Sequence, residues 1–345
     1  MPWAKAPAAA VSNRMGTPRI RLNITLGTRR NEGVIPCKLE VEMKTIIRVM
    51  AVAAAAALSV AVAQREDPFL GPWDLTITEP KSTYPDWLEI SRKADGGLAA
   101  VIQPRGGGRY NAAGVKFEGS RLTVSTRDGR VWELTLENNR LTGVQKRGDA
   151  VEAQVAGARM PALKRPAPAA WNNPEPLFNG KDLTGWEPMG GNSHWVVENG
   201  EMVNQAHGAN IKTTRQFDDL KLHVEFNCPD GGNSGIYLRG RYEVQIEYEP
   251  TPEDKLHMMG SIYSALPPTR DLPRTPGKWE SFDVTLVGRH VTVRRNNVQT
   301  IDADIPGITG GAIDSDEAAP GPFYIQGDHT GGLRFRNITV AEPKK

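Results

Sequence analysis

Short runs of alternating hydrophobic and polar residues recur along this chain. Leu220, Leu222, Val224 and Phe226 alternate with Lys221, His223, Glu225 and Asn227. Tyr242, Val244, Ile246 and Tyr248 alternate with Glu243, Gln245, Glu247 and Glu249. A period of two sends successive side chains to opposite faces of a strand. Each run therefore has one apolar face for a core and one polar face. The stretch Leu220–Glu249 reads as three strands with two tight links. Its polar faces, rich in Glu, Gln, His and Arg, read as neighbours on one open sheet face. Carboxylates and amides gathered there suit a hydroxyl-rich ligand.

The same pattern marks Trp73–Thr78, Trp87–Lys93, Leu98–Gln103, Arg121–Thr126, Val131–Leu136 and Arg140–Lys146. Turn signals separate them, among them Asp128-Gly129 and Asn138-Asn139. A first unit over 67–160 is thus expected to be a small β-barrel-like or curled sheet. It shows no catalytic constellation, and it reads as a structural or ligand-accessory domain. Gly106-Gly107-Gly108 lacks the following helix and Lys of a phosphate loop, so it reads as a flexible hairpin tip. Pro-rich residues 161–176 read as a semi-rigid linker. A second unit, 177–343, adds strands at Trp195–Glu198, Glu201–Gln205, Phe282–Val287, His290–Arg295, Phe323–Gln326 and Leu333–Val340. No long amphipathic helix interrupts them. The fold class is all-β, with the second unit a two-sheet sandwich.

One segment departs from this pattern. Met43–Ala63 has Lys44 and Arg48 before an apolar run and ends Ala61-Val62-Ala63. That is the layout of a signal peptide. Residues 1–42 then read as an upstream extension, disordered or from a misassigned start. A periplasmic or secreted location follows, with no membrane span in the mature chain. Residues 1–63 hold nine Lys/Arg and three Asp/Glu, a net of +6, so removing them from the whole-chain +2 leaves −4. A mature chain of that charge has no basic surface for nucleic acid. Cys37 precedes the leader, which leaves Cys228 alone and excludes an internal disulfide after cleavage. Cys228 reads as a small buried apolar residue.

Candidate chemistry lies in the second unit. Glu225 sits mid-strand beside His223, as a base or ligand, or as a solvated carboxylate in an ion pair. Arg239 offers a fork of donors for a substrate oxygen, or pairs with Glu243 or Glu225. Tyr263 can stack on a ligand or donate a proton, or it is an ordinary half-buried strand Tyr. His329 is a candidate acid, base or metal ligand near a strand end. Trp186, Trp195 and Trp279 read as core. There is no paired-Cys or His-Glu-x-x-His zinc motif and no calcium loop. A divalent ion on Glu243 and His329 stays open.

An ordered series of motifs sharpens this reading: LFNGKDLTGW at 177–186, WVVENGEMV at 195–203, LHVEFNCPDGGNSGIYLRG at 222–240, YEVQIEYE at 242–249, GSIYSALPP at 260–268 and IQGDHTGGLRFRNITV at 325–340. The second unit resembles the bacterial 3-keto-disaccharide hydrolase family over residues 175–342. The first unit is similar to a small β-domain often found before it. The resemblance implies a concanavalin-like jelly-roll sandwich that cleaves glycosides carrying a ketone at sugar carbon 3. It implies an oxidised glycoside as substrate and a sugar 3-dehydrogenase upstream in a pathway. It raises Asn233, Ser234, Glu243, Gln245 and Gln326 as substrate-binding positions, beside Arg239 and Tyr263. Proton transfer falls to Glu225 and His329. The motif departs from the family at Glu247-Tyr248-Glu249. The rival readings are a non-catalytic carbohydrate-binding sandwich and a structural cell-envelope protein.

Overall fold

A computed structural model describes residues 67–250 and 254–345. The expected leader and upstream extension lie outside the described residues. The first nine strands are β1 (Gly71–Glu79), β2 (Ser82–Arg92), β3 (Leu98–Gln103), β4 (Tyr110–Asn111), β5 (Gly114–Glu118), β6 (Arg121–Ser125), β7 (Arg130–Glu137), β8 (Arg140–Arg147) and β9 (Ala150–Arg159). They form one antiparallel sheet in the order β4-β3-β2-β1-β9-β8-β7-β6-β5. The sheet curls until β3 comes within 8 Å of β5 between Cα atoms, a barrel-like form. Trp73, Leu75, Ile102, Val124 and Trp132 fill its interior. Asn138 and Asn139 have φ of 50° and 61°, the left-handed pair that a two-residue hairpin link between β7 and β8 needs.

The second part contains β10 (Glu175–Pro176), β11 (Trp186–Pro188), β12 (Trp195–Glu198), β13 (Glu201–Asn204), β14 (Ile211–Phe217), β15 (Leu220–Asn227), β16 (Asn233–Leu238), β17 (Tyr242–Glu247), β18 (Trp279–Val287), β19 (His290–Arg295), β20 (Val298–Asp304), β21 (Gly321–Ile325) and β22 (Leu333–Ala341). One sheet runs β12-β13-β22-β15-β18-β19-β20, with β10 also paired to β22. A five-stranded sheet, β11-β14-β21-β16-β17, packs over it. Val224, Phe226, Phe282 and Phe335 from the first sheet meet Ile236, Val244, Ile246 and Phe323 from the second in one core. Trp186 and Trp195 belong to this core, but Trp279 is half-buried under the Arg336 guanidinium at 3.9 Å. Among the described residues no helix is long and apolar enough to cross a membrane.

Three features differ from the sequence reading. First, β15 and β17 do not share a sheet. Alternation shows which side of a strand faces the core, but not which layer the strand joins. The chain crosses between layers at residues 228–232, so the polar sides of β15 and β17 point away from each other on opposite surfaces. Second, the Pro-rich stretch read as a semi-rigid linker is also bonded to the sandwich. Leu163 O accepts from Arg289 N (3.2 Å), Arg165 pairs with Asp218 (2.6 Å), and Trp171 bridges to Pro343. Third, the first part is docked on the sandwich. Trp87 of β2 joins the sandwich core, and Gly307 is so close that a Cβ there would stand 2.4 Å from Trp87 Nε1.

Candidate active site

At β16 and β17 the outer face of the five-stranded sheet is covered, whereas at β11 and β14 it is exposed. All six residues of β17 are buried, the polar Glu243, Gln245 and Glu247 included. Three segments cover this face: the 255–266 loop, the 305–313 loop and the 104–109 hairpin of the first part. Between them lies a hollow of about 220 Å³. Asn233, Glu243, Gln245, Tyr263, Gln326 and His329 all line it. Six of the nine expected site residues thus converge.

Glu243 is the buried centre of the group. In the register of β16 and β17 it faces Tyr237, and Gly235 faces Gln245. Its carboxyl leans diagonally over Gly235, where a Cβ would stand 2.1 Å from Oε1. A larger residue has no space there. Gln245, in the amide orientation that satisfies both its atoms, donates to Glu243 Oε1 (3.1 Å) and Ser234 O (3.2 Å). Beside them Tyr237 and Tyr324 stack at 3.9 Å between centroids. Their hydroxyls donate to Gly310 O (2.9 Å) and Gly311 O (2.5 Å). Burial pushes the Glu243 carboxyl up to about 8, and the charge of Asp328 adds to the rise. A carboxyl poised there exchanges a proton near neutral pH.

The rim carries the mobile proton and the polar anchors. His329 Nδ1 meets Asp328 Oδ1 at 3.0 Å, and this carboxylate raises the imidazole above its ordinary value. Asn233 Nδ2 donates to Glu249 Oε1 (2.8 Å) while its backbone N–H donates to Thr330 Oγ1 (2.8 Å). Gln326 lines the hollow, and its Oε1 is buried without a donor among the described residues. Tyr263 stacks on His257 at 4.6 Å, and burial with the charge of Glu243 raises its phenol.

Three expected site residues lie elsewhere. Glu225 is on β15, in the opposite sheet, where Arg336 Nε (2.7 Å) and Asn337 Nδ2 (2.7 Å) both donate to it. It is a surface ion-pair carboxylate, and these partners lower its pKa against the effect of partial burial. Arg239 is fully buried at the β16–β17 turn with φ of 51°. Its guanidinium donates to Asp218 (3.1 Å), Gly288 O (3.2 Å) and Glu317 O (2.5 Å), so neither Glu243 nor Glu225 is its partner. Ser234 faces the core side of β16, and its hydroxyl donates to Gln326 O (2.8 Å). Alternation foretells this, because Ser234 shares its parity with Ile236 and Leu238.

Asp328, Glu249, Gly106 and Gly107 belong to the site and were not singled out for it by the sequence. Asp328 beside His329 was the legible one, since an adjacent carboxylate can hold an imidazole. Cys228 is buried as expected, its thiol pushed up to about 12 by desolvation. Among the described residues no three His, Cys, Asp or Glu side chains converge on a metal position. A larger groove of about 560 Å³ on β5–β8 is lined by Phe117, Leu122 and Leu134 among charged residues. It contains no buried acid–base pair, and the smaller hollow is the better site.

Residues 173–341 match the family model described as a 3-keto-alpha-glucoside-1,2-lyase-like domain, and this C-terminal region belongs to that family. No curated protein matches the chain. A provisionally named glycosyl hydrolase from Parabacteroides distasonis is 32% identical, over 48% of this chain and 82% of its own, with a TM-score of 0.42. A second one from that organism is 21% identical over 50% and 94%, with a TM-score of 0.43. The carbohydrate-binding module CBM66 from Bacillus subtilis is 14% identical over 47% and 98%, with a TM-score of 0.32. The family match makes this a carbohydrate-active protein.

Proposed function

We propose that the C-terminal domain cleaves 3-keto-glycosides, by proton abstraction at C2, elimination at C1 and addition of water. The observation that carries this reading is one buried carboxyl, Glu243, with its pKa near 8, in a polar hollow that also receives His329. A ketone at C3 acidifies the C2 hydrogen. Glu243 as carboxylate takes that proton, and the C–H electrons become the enolate. The enolate re-forms the C3 carbonyl and expels the C1 glycosidic oxygen. His329, held protonated by Asp328, delivers a proton to that leaving oxygen. Water then adds at C1 and the C2 proton returns, giving net hydrolysis. Asn233, Gln245 and Gln326 offer amides to the sugar hydroxyls.

Glu243 replaces Glu225 as the base in this scheme. The substrate must be made by an oxidoreductase that acts on the sugar C3 hydroxyl, and a periplasmic or secreted setting remains our proposal for where the two meet. The test is incubation of the purified chain with a 3-keto-disaccharide and with its unoxidised parent. Cleavage of the keto sugar alone is expected. Tight binding of either sugar without turnover makes the domain a carbohydrate-binding sandwich instead.

A further inference from the structure

We infer that the glycine-rich hairpin of the first β-unit is a wall of the substrate site, and that its bare backbone presents N–H donors to a substrate oxygen. This gives the N-terminal unit a part in recognition, although its sequence reads as accessory. The inference takes its substrate from the cleavage reading above.

The hairpin is fixed, and is not the flexible tip its three glycines suggest. Arg109 N donates to Ser264 Oγ (2.7 Å), and Arg109 Nη2 donates to Gly307 O and Ile308 O (3.1 Å each). The Arg109 guanidinium lies 4.3 Å from the centroid of the Trp87 ring. Gly311 N donates to Arg105 O (2.7 Å). Two close approaches require glycine. A Cβ on Gly108 would stand 2.7 Å from His257 Nε2, and one on Gly310 would stand 2.6 Å from Gly107 O. The barrel and the sandwich therefore meet backbone to backbone at the edge of the hollow.

Gly106 and Gly107 line that hollow and have only main chain to show it. Three of the four carbonyls in this run are taken: Pro104 O and Gly107 O accept from Gln103 Nε2 (2.8 Å each), and Arg105 O accepts from Gly311 N, while Gly106 O accepts from no donor among the described residues. The N–H groups of Gly106 and Gly107 donate to no acceptor among the described residues. Gly107 has φ of 77°, a left-handed conformation that glycine adopts without a Cβ penalty. Both glycines and Glu243 line the same hollow, so these N–H groups lie in the wall of the space that the carboxyl enters. A carbonyl oxygen gaining charge as an enolate is the group such donors stabilise.

Gly106 gives a clean test, because its φ is ordinary and a Cβ there meets nothing within 4 Å. Gly106→Val adds two methyl groups at the wall of the hollow, where the new Cβ meets no atom. Gly191→Val, also open and not part of the lining of the hollow, is the control. Steady-state cleavage of a 3-keto-disaccharide, calorimetric binding of the same sugar, and thermal midpoints are measured on the full chain. The expected result for Gly106→Val is an unchanged midpoint and a loss of at least about tenfold in kcat/KM, with Gly191→Val at wild-type level. A folded Gly106→Val with wild-type kcat/KM overturns the inference and leaves the cleavage reading standing. If the wild type binds the sugar without cleaving it, cleavage fails. Weaker binding by Gly106→Val then supports the wall, and equal binding overturns it. No binding and no turnover by the wild type overturns both.

Discussion

The carboxyl of Glu243 rests on the bare Cα of Gly235, so that a methyl group at Gly235 would stand 2.1 Å from Oε1. The two residues are on neighbouring strands, and their contact fixes the direction of the acid. Gly235→Ala is expected to push the carboxyl out of its place. Overpacking of this kind costs about 1–3 kcal/mol. The expected outcome is a fall in kcat much greater than the change in KM, with a modestly lowered urea midpoint. Wild-type kcat in Gly235→Ala would show that the carboxyl's direction does not matter.

Glu225 and Glu243 test the division between the two sheets. Glu225 holds Arg336 and Asn337 at a surface where ion pairs contribute about 0–1 kcal/mol. Glu225→Gln is expected to keep wild-type kcat/KM and to lose no more than that stability. Denaturant unfolding and initial rates check both. A hundredfold loss of rate would return the catalytic role to Glu225.

Much of the fold is legible in the alternation. The β16 and β17 cores and the Asn138-Asn139 hairpin follow from period two and from turn chemistry. Other parts were hidden for physical reasons. β9, with the run Ala150–Arg159, is rich in Ala and Gly, residues of low strand preference. They stand there because Gly157 lies against Leu75, where a Cβ would come within 2.8 Å of Cδ2. Glu225 and Glu243 look alike in sequence, since both are mid-strand carboxylates on polar faces. Only the crossing between layers separates them. The part of Gly106 and Gly107 depends on contacts with residues about 200 positions later, which no local pattern carries.

The pairing of Asp328 with His329 sets one limb of the rate profile. Asp328 raises the imidazole, so the acid form of His329 persists to higher pH than an isolated histidine. Rate is lost as pH rises through that value. Asp328→Asn is expected to move the falling limb of kcat/KM to lower pH. The limb set by Glu243 moves the same way, because the charge of Asp328 also helps to raise that carboxyl. Profiles from pH about 5 to 10 read both limbs. A falling limb that does not move means His329 is not the acid.

Asp86 links pH to stability away from the chemistry. It is buried, accepts from Arg105 N (2.7 Å), and is pushed from 3.8 up to about 8, chiefly by desolvation. Between those values the folded state keeps a proton that the unfolded state releases. The contribution is complete below pH about 4 and is lost as pH rises to about 8, at most about 1.4 kcal/mol per unit. Asp86→Asn, which has no proton to lose, is expected to flatten the fall in unfolding free energy between pH 5 and 8. Urea titrations at both pH values measure it. A slope as steep as wild type contradicts the account.

The most direct measurement is the rate of C2 proton exchange and glycoside cleavage for a 3-keto-disaccharide in deuterated buffer, comparing wild type with Glu243→Gln. The wild type is expected to cleave the sugar and to place deuterium at C2. Glu243→Gln is expected to lose both by at least about a hundredfold while still binding the sugar and unfolding at a similar midpoint. Cleavage and exchange at wild-type rates in Glu243→Gln would contradict the assignment of this buried carboxyl as the base.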